Sequence, residues 1–174
     1  MDEQTDTWSK ARWLAARGLS VAAEGNSSRN LMLNRLFGRY MRRTHPESHV
    51  YSYIWSHIAP CFPEDIGSYY DPKKMLANHG SEMWFTFNSL RPGRPPVRPW
   101  REQDFKLGDK VVQYWVNFIT KGDPNGEGLP YWPASDESLG YIDLDDTITG
   151  HTGLEDKLDE LIYYFTMKRF HLEE

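Results

Sequence analysis

Apolar positions recur three and four residues apart over residues 28–43, SRNLMLNRLFGRYMRR, which predicts an amphipathic helix with Leu33, Leu36, Phe37, Tyr40 and Met41 on its inner face. Ser28 suits the N-cap and Pro46 stops the run. Residues 49–55, HVYSYIW, are β-branched and aromatic with apolar side chains on both faces, so they predict a strand buried on both sides within a larger sheet. A second helix is expected over about residues 105–121, with Val111, Val112, Trp115, Phe118 and Ile119 on one face, ended by Gly122 and Pro124. Residues 139–144, LGYIDL, predict a short strand. Thr152 with Glu155 has the form of a capping box for a third helix that carries Leu154, Leu158, Leu161, Ile162 and Phe165 inward. Between these elements, residues 91–101, RPGRPPVRPWR, hold four prolines and predict an extended surface loop. No internal repeat is present.

Two short strands do not make a stable sheet, and three amphipathic helices need more to pack upon. The pattern therefore predicts one side of a larger α/β domain. The length of 174 residues fits one ordinary domain or a piece of one. Hydrophobic residues are only 39% of the chain, but 14% are aromatic, and their large buried areas argue for a packed core rather than disorder.

The net charge of -5 hides a division: residues 1–101 carry 14 Lys and Arg against 9 Asp and Glu, whereas residues 102–174 carry 6 against 16. The arginines fall in the first helix and the proline loop, outside any nucleic-acid motif, so attraction between the two halves of a folded domain is the plainer reading and no nucleic acid is expected as partner. Cys61, the one cysteine, can form no internal disulfide. The opening MDEQTDTWSK is polar and acidic, and no apolar run is long enough to span a bilayer, so neither an export signal nor a membrane span is expected, and localisation is open.

Several chemical patterns start and fail. His45 and His49 have a zinc-like spacing, but Pro46 between them breaks the helix that would align them. Asp123, Asn125, Glu127 and Gly128 begin a calcium loop, yet Ala134 stands where the closing glutamate belongs, so a turn is expected. Pro96, Pro99 and Arg101 fit a polyproline ligand, with a simple connector as the plainer reading. No phosphate-cradling glycine motif occurs, and no cofactor or metal is expected.

There remains MLANHGSEMWFTF at residues 75–87, where His79 is read as a core histidine, a metal ligand or a catalytic base. The stretch YWVNFITKGDPNGEGLPYWPA at residues 114–134 bears on the choice: Trp115 and Phe118, then Gly122, Pro124 and Asn125, then Trp132 and Pro133. This order resembles the C-terminal part of type B carboxylesterases, the carboxylesterase, lipase and cholinesterase family. In that family the catalytic histidine lies in an H-G-x-E segment ahead of the W-x-x-F helix, matching His79, Gly80 and Glu82. The chain is thus expected to be a single partial domain, residues 1–174, with the resemblance clearest over 48–170.

The resemblance implies an α/β-hydrolase fold and a serine-triad ester hydrolase acting on small-molecule esters. His79 would take the serine proton during attack on the carbonyl and return it to the leaving alcohol, work suited to a side chain type whose charge changes near neutral pH. Gly80 would let the backbone turn beside the site. Glu82 matches an acid that orders the polar network behind the triad; from the residues alone it is equally a glutamate favoured at a helix N-terminus.

The chain contains no G-x-S-x-G elbow and no glycine-rich oxyanion segment. GNSSR at residues 25–29 lacks the second glycine, and Glu64, Asp65 and Asp71 fall in a turn-rich loop unsuited to a triad acid. The expectation is therefore a chain inactive by itself, with the missing N-terminal portion of the domain as its partner. The alternatives are a non-catalytic interaction protein on an esterase-like scaffold and an unrelated small α+β domain.

Overall fold

The computed structural model describes residues 28–91 and 97–170. The Ser28 side chain and residues 92–96 of the proline loop lie outside them, and with these the expected N-cap and most of the polyproline pattern. The described residues gather into two compact units.

The first unit comprises residues 28–52, 134–140 and 152–170. It contains helix α1, Ser28–Thr44. The helix is where the apolar spacing predicts it, but its inner face is turned. Leu31, Met32, Arg35, Leu36 and Arg39 are buried, whereas Phe37 and Tyr40 are 54% and 56% exposed. The face is set by what it meets. Met32 and Leu36 close on Leu139 and on Ile162, Tyr163 and Met167 of the C-terminal helix. The arginine stems run along this apolar surface while their heads reach acceptors. Arg35 donates from Nε to the Leu139 carbonyl at 2.7 Å, from Nη1 to Asp159 at 3.2 Å and from Nη2 to the Gly153 carbonyl. Arg39 donates to the Tyr163 hydroxyl at 3.1 Å and lies over that ring.

Gly38 is required by a close approach: a Cβ there would stand 2.1 Å from the Ser135 carbonyl oxygen. Ser135 itself is held by its N–H on Val50 O at 2.8 Å and by Oγ bonds to Ser52 and to the Gly140 carbonyl.

The second unit comprises residues 53–91, 97–133 and 141–151 and carries the sheet. Strand β1, Tyr53–Trp55, runs parallel to β2, Tyr141–Leu144, with Tyr53 opposite Ile142 and Trp55 opposite Leu144. Strand β3, Thr149–His151, returns antiparallel to β2. The expected strand at 49–55 is thus reduced to its last three residues and lies at the sheet edge among the described residues, with Tyr53 partly exposed, rather than covered on both sides.

Two short helices follow β1: α2, Pro72–Met75, and α3, Met83–Thr86. Helix α4, Glu102–Lys121, starts three residues before the expected point. It ends at Gly122, which adopts a left-handed conformation and donates to the Phe118 carbonyl at 2.8 Å, as the sequence predicts. The buried face of α4 is Asp104, Leu107, Gly108, Val111 and Tyr114, so Val111 is placed as expected while Phe118 and Ile119 face outward. Trp115 is half-buried against Tyr53 and Trp132, at ring separations of 5.5 and 5.8 Å.

In the first unit, helix α5 runs from Lys157 to Phe170. The expected capping box at Thr152 and Glu155 therefore lies ahead of it. Asp156 does the capping, its Oδ1 accepting the N–H groups of Leu158 and Asp159 at 2.8 Å each. Besides the short helices α2 and α3, the residue pattern misses strand β3: Thr-Gly-His carries no apolar alternation, and only its pairing with β2 makes it a strand.

Candidate functional site

Residues 78–81 form a tight turn between α2 and α3. The Ser81 N–H and hydroxyl both donate to the Asn78 carbonyl, at 3.1 and 2.8 Å. Gly80 sits at φ +84°, a conformation that L side chains rarely adopt, so the residue after His79 must be glycine for this turn to close without strain. Ser81 is buried, while His79 at the crest is exposed. Among the described residues His79 lies outside the core, and no side chain hydrogen-bonds to its ring. Glu82 is half-buried at the head of α3, where its carbonyl accepts from Phe85 and Thr86 at 3.0 and 2.9 Å.

Of the upstream acids, Asp71 is committed to structure. Its two oxygens accept the N–H groups of Gly67 and Lys73 at 2.8 and 2.9 Å, and these bonds hold its carboxyl below the usual range.

Behind the turn lies a polar cluster that the sequence does not announce. His57, two residues past β1, is 1% exposed, and both its nitrogens face carboxylates. Nδ1 is 2.8 Å from Asp146 Oδ1 in the turn between β2 and β3. Nε2 is 3.1 Å from Asp104 Oδ1 in the first turn of α4, a contact too far off the N–H axis to count as a full hydrogen bond.

Asp104 is fully buried and heavily bonded. It accepts from the Arg101 N–H at 2.6 Å, from Arg101 Nε at 3.0 Å and from Arg101 Nη2 at 2.8 Å. Burial alone would raise its pKa, but the close His57 imidazole and the hydrogen bonds from Arg101 outweigh that and hold the carboxyl well below the ordinary carboxylate range. Gln103 completes the cluster by donating to Asp146 Oδ2 at 2.9 Å.

His57, Asp104 and Asp146 bring one ligand atom each within 4.8 Å of one another, a spacing a divalent cation accepts. In this structure the Arg101 guanidinium, on both Asp104 oxygens, supplies the positive charge instead. The ring faces are apolar: the Phe85 centroid lies 5.0 Å from His57 and that of Trp55 5.6 Å. A lone histidine in SHIAP gives no sequence signal for this arrangement, because Asp104 and Asp146 are distant along the chain.

The turn downstream of α4 is also built by side chains. Asn125 donates to Asp123 Oδ1 and to the Trp132 carbonyl, both at 2.9 Å, and accepts the Trp132 N–H at 2.7 Å. The residues that resemble a calcium loop thus close a turn on Asn125.

The sequence profile described as the carboxylesterase family matches residues 26–162, which takes in both the His79 turn and the W-x-x-F helix. The chain belongs to the carboxylesterase family. It is 31% identical over 137 residues to liver carboxylesterase 1 of Oryctolagus cuniculus, a match covering 74% of this chain and 22% of that protein. To the cocaine esterase of Homo sapiens it is 38% identical over 95 residues, covering 55% and 16%. The chain thus spans about a fifth of the length of the carboxylesterases it matches. Among solved structures, a PNB esterase superposes with a TM-score of 0.50 at 21% identity, covering 66% of this chain and 22% of that one. The mixed sheet and its helices are part of an α/β-hydrolase fold, as in other carboxylesterases. Among the described residues no helix is long and apolar enough to cross a membrane.

Proposed function

We propose that this chain supplies the histidine side of a serine carboxylesterase site, with His79 as the general base and Gly80 and Glu82 shaping the segment that carries it. The observation that supports this most is the His79 turn. In a member of the carboxylesterase family, an H-G-x-E segment holds its imidazole exposed at the head of a short helix, ahead of the W-x-x-F helix. An imidazole with no hydrogen-bond partner among the described residues is available to a hydroxyl presented from outside them. It would accept the serine proton as that oxygen attacks an ester carbonyl, pass it to the departing alcohol, and repeat the exchange with water to free the acid.

The nucleophile, oxyanion donors and triad acid would come from the preceding part of the domain, covalently or as a separate polypeptide. Without them an imidazole offers an ester little beyond solution-like catalysis, so the 174-residue chain alone is read as inactive.

The test uses an antibody to GDPNGEGLPYW at residues 122–132. The native material it captures is expected to contain a polypeptide that reacts with a fluorophosphonate and hydrolyses p-nitrophenyl acetate, while the purified chain does neither. Turnover by the purified chain that disappears in His79→Ala would overturn the need for a partner. Captured material with no fluorophosphonate-reactive protein would overturn the esterase reading and favour a non-catalytic interaction protein. That second reading draws its support from exposed side chains such as Tyr69, Phe87 and Tyr131.

A further inference from the structure

The turn that carries His79 is short of its own restraints. Apart from the two Ser81 bonds and the Met83 N–H on the Gly80 carbonyl at 3.2 Å, what fixes its direction is α3, a helix of four residues that starts two residues after Ser81. Such a helix has too few internal bonds to hold itself, so its orientation is decided by its side-chain packing: Trp84 lies 5.7 Å from Trp100 with Arg98 over its ring, and one further side chain is buried outright. That side chain is Phe85, fully buried and the only buried residue of α3. Its ring lies 4.7 Å from Trp55 and 5.0 Å edge-on from the His57 imidazole.

Of these three rings the imidazole is the one held by carboxylates, through a hydrogen bond at Nδ1 and a close contact at Nε2. Asp146 holds Nδ1 from the turn between β2 and β3, and Asp104, itself clamped by Arg101, faces Nε2 from α4. The Nδ1 bond and the Asp104 contact restrict the ring, and Phe85 packs against it.

We propose that His57 is a positioning residue for His79: the carboxylates of Asp104 and Asp146 fix its ring, the ring fixes Phe85, and Phe85 sets the orientation of α3 and the turn at residues 78–81. Its catalytic meaning rests on His79 being the esterase base, since a base displaced by an ångström loses much of its rate advantage. The mechanical coupling itself stands on the packing alone. It also accounts for a polar cluster at the centre of an aromatic one, where an apolar side chain would fill the volume without carboxylates to satisfy.

The coupling is read by NMR on the isotope-labelled full chain at one fixed pH, from the imidazole resonances of His79 and the backbone amides of residues 78–81. In His57→Gln these resonances shift, while those of His45 and His49, which belong to the other unit, stay in place. Phe85→Leu shifts them as well, and His57→Gln adds nothing further in the Phe85→Leu background, because the route through Phe85 is already cut. A purely structural contribution would lower the unfolding midpoint and leave the folded-state resonances of His79 where they are.

Unmoved His79 resonances in folded His57→Gln, or additive displacements in the double variant, would overturn the proposal. Should His57→Gln not fold, Asp146→Ala cuts the Nδ1 tether at a side chain that is 46% exposed, and the same displacement is expected there; its absence overturns the proposal equally. Because nothing in this readout depends on ester turnover, a displaced His79 in a protein without esterase activity would leave the coupling intact and remove only its catalytic meaning.

Discussion

Replacing Asp104 by asparagine tests the buried cluster through a single oxygen-to-nitrogen change. The wild-type carboxylate is fully buried and accepts three hydrogen bonds from Arg101 while facing His57 Nε2. Asparagine keeps one acceptor and turns an NH2 group toward a donor, either the guanidinium or the imidazole. That leaves one buried polar group unsatisfied, at a cost of about 1–3 kcal/mol. The lost ion pair with Arg101 adds less than its short distances suggest, because Arg101 is 42% exposed and its charge is already screened; a surface value of roughly 0.2–1 kcal/mol applies. Together the variant should lose about 2–3 kcal/mol at pH 7, or roughly 5–10 °C in unfolding midpoint for a chain of this size.

The pH dependence gives the sharper check. The folded-state pKa of Asp104 is depressed, so the stability it contributes is present above the unfolded-state value of about 3.9 and declines as pH falls from there toward the folded value. The gap between wild type and Asp104→Asn should therefore narrow by about 1 kcal/mol between pH 7 and pH 3. Urea denaturation followed by tryptophan fluorescence measures it, Trp55 beside His57 being one of the seven tryptophans that contribute to the signal. A gap below about 0.5 kcal/mol at pH 7, or one of equal size at both pH values, would refute the argument that an ionised Asp104 holds the cluster.

Two further outcomes follow from the geometry. Gly38→Ala should destabilise the helical unit by about 1–3 kcal/mol, because the new methyl meets a backbone carbonyl at 2.1 Å; an unchanged thermal midpoint would mean that Ser135 yields freely. Asn125→Ala removes the three side-chain bonds that close the turn between Asp123 and Trp132, and should cost about 2 kcal/mol. Amide exchange at Trp132 should speed up well before exchange in the middle of α4, and equal protection in variant and wild type would count against that turn being held by Asn125.

What the chain determines locally, it also announces. Helices α1 and α4 stand where apolar spacing puts them, because a period near 3.6 is a property of neighbouring residues, and Gly122 ends α4 because a left-handed C-cap is a local demand. The H-G-x-E turn is legible for the same reason: its geometry is closed by Asn78, Gly80 and Ser81 within four residues. Family membership is legible too, since its motifs are ordered along the chain.

Tertiary structure decided the rest. Which face of α1 turns inward depends on Leu139, Gly153 and α5: the carbonyls of Leu139 and Gly153 with Asp159 and Tyr163 let two arginines be buried while Phe37 and Tyr40 face out. Strand β3 exists only as the partner of β2, and β1 is a strand only over the three residues that β2 pairs. The His57 cluster belongs wholly to this second class. Its members come from three segments whose approach no spacing rule encodes, and the burial that packs Phe85 against His57 arises only when the sheet, α3 and α4 close on one another.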